Sequence, residues 1–224
     1  MEQPQIRLAC IDMAGTVIKD GGIVMNAFRR ALEAVGFGPS QVQPAMDYAY
    51  ETMGTPKSVV FGHLLASDDE VEVAMAAFAD AIEESLAQGK AQLLPGASDA
   101  LMELRRNDIK ICLTTGFSAG VQRSIVEKLS LSELSDFWLA PTEHVRGRPY
   151  PDLVLAAALK AKVDDVREIA VVGDTANDLW SGYRAGARVV AGVLTGSHSR
   201  AELEKAPHTD IISSVRDFPP LLVG

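Results

Sequence analysis

Ile6-Arg7-Leu8-Ala9-Cys10-Ile11 runs straight into Asp12-Met13-Ala14-Gly15-Thr16 near the start of this chain. The first six residues are mostly apolar and have strand character, and Gly15-Thr16 ends the run with a turn. A carboxylate at the end of a buried strand projects from the edge of a sheet, where open α/β folds carry their chemistry. Five further apolar runs follow, at residues 109–115, 136–140, 168–174, 188–194 and 209–213. From Pro95 onward they alternate with helical patterns at residues 97–106, 119–129, 152–160, 178–185 and 200–205. This alternation predicts an α/β, doubly wound fold whose mainly parallel sheet is covered on both faces.

Residues 21–89 break the rhythm and read as helix throughout. A helix over 24–35 ends at Gly36, and one over 40–52 ends at Met53-Gly54. A third begins near Pro56, since proline suits a first helical turn. A fourth follows Ser67-Asp68-Asp69-Glu70, which has the spacing of a capping box. Gly21-Gly22 and Gly89-Lys90 flank the block as hinges. The expected organisation is a core domain of residues 1–20 and 90–224, with a small α-helical cap of residues 21–89 inserted after the first strand. An insertion there sits over that strand's end as a lid.

The 224 residues are enough for a full hydrophobic core, and 47% of them are hydrophobic. A net charge of −9 argues against nucleic acid or an anionic membrane as a partner, while a small anion in a locally positive pocket remains compatible. Cys10 and Cys112 fall in strand candidates and read as small buried hydrophobes in a reducing compartment. Met1-Glu2-Gln3-Pro4 lacks the basic start and apolar run of a signal peptide, and no apolar span reaches membrane length. A soluble, cytoplasmic protein is expected.

A second acidic stretch, Gly173-Asp174-Thr175-Ala176-Asn177-Asp178, follows the apolar Ile169-Ala170-Val171-Val172. Asp12, Asp174 and Asp178 can therefore meet in one crevice. Clustered carboxylates repel unless a cation or protons neutralise them, and hard oxygen ligands suit Mg²⁺. Asp178 alone reads equally as a helix cap. Thr114-Thr115-Gly116 ends another strand and offers hydroxyl and backbone donors to a phosphate-like anion. Arg148, in Gly147-Arg148-Pro149, is held in a loop where a guanidinium can clamp phosphoryl oxygens or a charged nucleophile.

In this order, Asp12, Thr114, Arg148 and Asp174 with Asp178 resemble the four motifs of the haloacid dehalogenase superfamily of phosphotransferases. The resemblance spans nearly the whole chain and implies a Rossmann-like core with a cap after the first motif. It implies that Asp12 is the nucleophile that accepts the phosphoryl group. It further implies Mg²⁺ held by Asp12, the Ala14 backbone carbonyl and Asp174, with Asp178 close by. Thr114, the Thr115 and Gly116 amides and Arg148 would stabilise charge on the transferring group, and Thr16 belongs to the same phosphate-facing turn.

Most phosphatases of that superfamily have an Asp two residues after the nucleophile, an acid/base worth typically about 10²–10⁴-fold. Here the position is Ala14. The phosphonatase (phosphonoacetaldehyde hydrolase) branch also has Ala there, and the chain resembles it in Thr114-Thr115-Gly116, in Gly147-Arg148-Pro149-Tyr150-Pro151 and in Gly173-Asp174-Thr175. In that branch a cap lysine in a Met-Gly-x-x-Lys pattern forms an imine with an aldehyde substrate. Met53-Gly54-Thr55-Pro56-Lys57 matches it, which makes Lys57 the Schiff-base candidate and puts Met53 and Gly54 beside the substrate; the alternative is a basic residue that binds substrate or caps a helix, as in caps with the same Gly-x-x-Lys spacing and no imine. Three features depart from the branch. Val60 stands where it has a histidine, Lys19 where it usually has Asp, and the chain after the fourth motif is shorter. His63 lies roughly 120° around the helix from Lys57 and does not replace that histidine.

The expected function is thus a Mg²⁺-dependent phosphohydrolase acting on a small organophosphonate or organophosphate. Alternatives are a phosphomonoesterase with a relocated acid/base and a phospho-ligand-binding relative without turnover, both motivated by Ala14. A receiver-like phosphorylation switch also gathers carboxylates at strand ends, but a cap argues against it. The resemblance also implies a homodimer formed through the cap. Trp138 and Trp180 read as packing residues, Met13 as either a packing or a substrate contact, His144 as a loop residue near Arg148 that faces either the crevice or solvent, and His198 and His208 as carrying no ligand pattern.

Overall fold

The computed structural model describes residues 4–223. β1 (Leu8–Asp12) and β2 (Ile18–Lys19) lead into four helices, α1 (Ile23–Ala34), α2 (Pro39–Glu51), α3 (Lys57–Leu64) and α4 (Asp68–Ala87). The chain returns through β3 (Gln92–Leu93) and alternates through α5 (Ala97–Arg106), β4 (Lys110–Thr114), α6 (Ala119–Lys128), β5 (Phe137–Leu139), α7 (Asp152–Ala161), β6 (Ile169–Gly173), α8 (Ala176–Ala185) and β7 (Val189–Val193). α9 (Arg200–Leu203), β8 (Asp210–Ile212) and α10 (Pro219–Leu222) complete it.

The main sheet has six strands in the order β5-β4-β1-β6-β7-β8, and every pairing in it is parallel. β1 is buried along its whole length because both its faces are covered. Ala9 and Ile11 point into one apolar cluster, Leu8 and Cys10 into another. This is the doubly wound α/β architecture expected from the alternation, with the helical cap inserted after the first strand. Strand order runs outward from β1 to β5, then resumes on β1's other side with β6. Loops leaving the C-terminal ends of β1, β4 and β6 therefore diverge, and a crevice opens between them.

The cap has its own aromatic centre. α1 buries Val24, Ala27, Phe28, Ala31 and Leu32 along one face, the i, i+3, i+4 stripe of an amphipathic helix. Phe28 packs against Phe61 at 5.1 Å and Phe78 at 5.2 Å between ring centroids, and all three rings are buried. Each such ring contributes roughly 1.5–3 kcal/mol on burial.

Four local features differ from the sequence expectations. β2 and β3 form an antiparallel ribbon where the two cap linkers pass each other, and two-residue strands leave no periodicity to read. α3 starts at Lys57 with Pro56 just outside it, because the Lys57 amide donates to Gly116 O at 3.1 Å instead of facing an open helix end. Ser67 Oγ accepts from Glu70 N at 3.3 Å, but Glu70 Oε2 reaches back to Ala66 N at 2.9 Å, one residue beyond a reciprocal capping box. α8 begins two residues before the expected start, which puts Asp178 inside its first turn. Among the described residues no helix is long and apolar enough to cross a membrane.

Candidate active site

β1 and β4 run in register, so Asp12 lies directly opposite Thr114 at the sheet's edge. β6 flanks β1 on the other side, and Asp174 emerges one residue past its end. Asp12, Asp174 and Asp178 are buried, and each brings a carboxylate oxygen within 4.8 Å of the other two. The Asp178 carboxylate accepts from Thr175 N, Thr175 Oγ1 and Arg148 Nη1. Its Oδ2 accepts from Thr175 N at 3.1 Å as part of α8's capping box, while its Oδ1 accepts from Arg148. Gly15 makes room for the cluster: at φ +89° it turns where a side chain would be strained, and a Cβ there would lie 2.5 Å from Asp174 Oδ2.

Arg148 is the cation at this edge. It is 4% exposed, and its Nη1 donates to Asp12 Oδ1 at 2.7 Å as well as to Asp178. Asp12 Oδ2 and Arg148 Nε and Nη2 are buried with no hydrogen-bond partner among the described residues. Burial lifts Asp12 to about 6; Arg148 pulls against that, and Asp178 adds to it by repulsion. Asp174 is raised well above the usual carboxylate range by burial and then by Asp12 and Asp178, despite a bond from Ser197 N at 2.6 Å. Burial works against the Arg148 charge, but Asp178 and Asp12 outweigh it and hold the guanidinium firmly protonated.

The opposite wall comes from the cap. Asp12, Ala14, Met53, Gly54, Lys57, Thr115, Gly116, Arg148 and Asp174 line one crevice of about 380 Å³, part of it open to solvent. Lys57 is 4% exposed, and its Nζ stands 5.3 Å from the Phe28 ring centroid and 5.8 Å from that of Phe117. Burial, reinforced by the nearby Arg148 charge, lowers its pKa from the ordinary 10.5 to about 8. The loop carrying it is pinned to the core. Asn177 Nδ2 donates to Met53 O at 2.8 Å and to Thr55 Oγ1 at 3.2 Å. Gly54, at φ +87°, passes so close that a Cβ would meet Thr175 Oγ1 at 2.5 Å.

The family model of the haloacid dehalogenase-like hydrolases matches residues 6–186. The chain belongs to that family. The hydrolase is 30% identical over 211 residues to phosphonoacetaldehyde hydrolase of Pseudomonas entomophila, covering 86% of this chain and 74% of that one. It is 28% identical over 232 residues to phosphonoacetaldehyde hydrolase of Pseudomonas fluorescens, covering 95% and 82%. Among solved structures, a phosphonoacetaldehyde hydrolase-like protein from Oleispira antarctica superposes with a TM-score of 0.82 at 23% identity, over 98% of this chain and 92% of that one. A hydrolase from Pseudomonas syringae gives 0.83 at 24% identity, over 96% of both chains. These likenesses carry the fold.

The carboxylate set of this hydrolase fits a hard divalent cation. Three buried carboxylates that repel one another, one with an unpartnered oxygen, form an oxygen-rich site that a Mg²⁺ ion would relieve. Thr16 and Thr114 are buried behind the crevice wall; the Thr16 hydroxyl has no partner among the described residues, and Thr114 Oγ1 donates to Ile11 O at 3.5 Å. Val60 is 1% exposed in the cap's apolar centre, while His63 is exposed and stacks on Tyr48 at 4.4 Å. His144 is exposed, and His198 Nδ1 accepts from Ala176 N at 3.1 Å.

Several contributors to the site have no local sequence signal. Thr195 Oγ1 donates to Gly15 O at 2.7 Å and Ser197 N bonds Asp174, so the loop after β7 braces the carboxylates. Tyr50 Oη donates to Ser197 O at 2.9 Å and ties the cap to that same loop. Asp20 also lines the crevice, its Oδ1 accepting from Val24 N at 3.0 Å and its Oδ2 from Gly22 N at 3.2 Å. An acidic residue just before a helix was the one available hint for Asp20.

Proposed function

We propose that this hydrolase cleaves the P–C bond of a small phosphonate bearing a carbonyl, in the manner of phosphonoacetaldehyde hydrolase. The observation that carries the reading is one buried amine, Lys57, lining the same crevice as the Asp12 carboxylate, with only a methyl group at Ala14. A phosphate ester's leaving oxygen can be served by a carboxylic acid at that position, whereas a carbon leaving group needs an electron sink. A neutral Lys57 Nζ adds to the substrate carbonyl and, with loss of water, gives a protonated imine. An Asp12 oxygen then attacks phosphorus, the P–C bond breaks, and its electron pair passes into the iminium to leave an enamine. Protonation at carbon and hydrolysis of the imine release the carbonyl product and free Lys57. A second water cleaves the phosphoaspartate to orthophosphate and restores Asp12, so the net reaction consumes one water.

Arg148 holds Asp12 for attack, and its unpartnered Nε and Nη2 leave donors for phosphoryl oxygens. A Mg²⁺ ion held by Asp12 and Asp174, with Asp178 alongside, would offset charge on the phosphoryl group. Borohydride reduction in the presence of phosphonoacetaldehyde tests the central step. A covalent adduct mapped to Lys57, together with orthophosphate release, is expected. Val60 and the crevice-lining Asp20 favour a second reading, a phosphomonoesterase with a relocated acid/base. Orthophosphate release from monoesters but no adduct with phosphonoacetaldehyde would select it.

A further inference from the structure

A second cavity adjoins the crevice, about 340 Å³ with the open space around it counted and about 30 Å³ as room for a water-sized body. Ala14, Asp20, Val24 and Phe117 line both, so the two spaces share a wall beside the nucleophile loop. Beyond that wall the chamber is aliphatic, closed by the buried Ile82 and Leu86 of the cap. None of Asp12, Lys57, Arg148 or Asp174 borders it, so it offers a phosphoryl group nothing to bind. Its two charged residues are Lys19, exposed at the ribbon, and Asp20, whose two oxygens accept from the Gly22 and Val24 amides at the start of α1. An ionised side chain at position 14 would stand at the edge of this apolar space, where an unpaired charge is costly. The Ala14 methyl puts no polar group on that shared wall.

We infer that this side chamber takes an alkyl substituent on the carbon side of the substrate. The substrate class is then phosphonates whose carbon fragment is longer than two carbons, such as 2-oxoalkylphosphonates. Naming the class rests on the P–C hydrolase reading above, but the chamber is testable without turnover. The test is titration calorimetry of the whole protein with Mg²⁺ and unbranched alkylphosphonates from methyl to hexyl. Affinity should rise about fourfold per added methylene, the gain for burying one, and level off once the chamber is full. Ala91→Phe, which projects a ring into the chamber from the return linker, should flatten the series while leaving methylphosphonate binding unchanged. Ile125→Ala should move the plateau to longer chains.

Equal affinity along the series in the unaltered protein overturns the inference, as does a full chain-length gain in Ala91→Phe. Orthophosphate release from phosphonoacetaldehyde is read in parallel. Its absence beside an intact chain-length gain would remove the P–C reading and leave the chamber standing.

Discussion

The two walls of the crevice are built from opposite chemistry. On the core side three carboxylates and one guanidinium are buried together, and the Arg148 charge offsets part of what burial does to Asp12. On the cap side a single amine lies among aromatic rings, and its pKa is set first by loss of water. Core side chains that carry and balance charge suit the phosphoryl group, which stays anionic throughout. A desolvated amine on the cap suits a neutral carbonyl, to which only an unprotonated nitrogen can add. On the proposed reading, substrate identity is decided at the cap and the phosphoryl chemistry at the core.

The sharpest way to separate the two walls is to remove their reacting atoms in turn. Asp12→Asn keeps shape and burial but loses the nucleophile, so orthophosphate release should fall by about 10⁴-fold or more from every substrate. The borohydride adduct on Lys57 should survive, because the imine forms before phosphorus is attacked. Wild-type turnover in this variant would remove Asp12 from the chemistry. Lys57→Arg should be the mirror image, with phosphonate cleavage down by about 10²–10⁴-fold and no adduct, since a guanidinium forms no imine. A variant that still cleaved phosphonates at the normal rate would return Lys57 to a binding role.

How far these two walls are legible in the chain differs for a physical reason. Asp12 and Asp174 sit at the ends of runs buried on both faces, so the end of the apolar pattern marks the point where the chain meets the crevice. Thr114 is legible on the same ground, and parallel pairing alone brings it opposite Asp12. Four helices over residues 21–89 were equally plain from their terminal glycines and the cap at Ser67. Asn177, Tyr50, Thr195 and Ser197 were not, because their roles arise from contacts spanning 122 to 180 residues of chain and, for Ser197 with Asp174, 23. Asp20 accepts from two amides at the start of α1, yet the same carboxylate lines both cavities. Lys57 could be placed by its motif, but its burial is supplied by Phe28 on one helix and Phe117 past a distant strand.

That burial predicts a pH signature specific to the cap wall. With Lys57 at about 8, imine formation needs the neutral amine, so kcat/KM for a phosphonate should fall about tenfold per unit as pH drops below 8. Stability should move in the same direction. The folded protein gives up the Lys57 proton near 8, while the unfolded chain keeps it to about 10.5, so the unfolded state binds more protons between those values and stability rises with pH. Below 8 the cost is fully present, and Lys57→Met should raise stability there by roughly 3 kcal/mol, shrinking towards zero above 10.5. Denaturant melts at pH 7 and 10 measure it, and an equal effect at both would mean that the amine is solvated.

A smaller effect tests the seam between the walls. Asn177→Ala deletes the two bonds to Met53 O and Thr55 Oγ1 that hold the lysine loop against the core. A net loss of about 1 kcal/mol in docking corresponds to about a fivefold fall in kcat/KM. It should appear mainly as a raised KM, with the borohydride adduct still formed at high substrate. A drop in kcat with unchanged KM would instead make Asn177 part of the reacting constellation.

The least effect is expected from the histidine that sequence position alone makes tempting. His63 lies six residues past Lys57, but it is exposed and stacked on Tyr48 at 4.4 Å, away from the crevice. The place one helical turn after Lys57 is held by Val60, packed in the cap's apolar centre with no proton to give. His63→Ala should therefore leave kcat/KM within about twofold, and cost stability only the roughly 0.5–1.5 kcal/mol of a ring pair. A collapse in turnover with the fold intact would mean that α3 rotates to bring this imidazole to the substrate. The apolar cap wall would then be one of two arrangements, and the division of labour drawn between the walls would fail at the cap first.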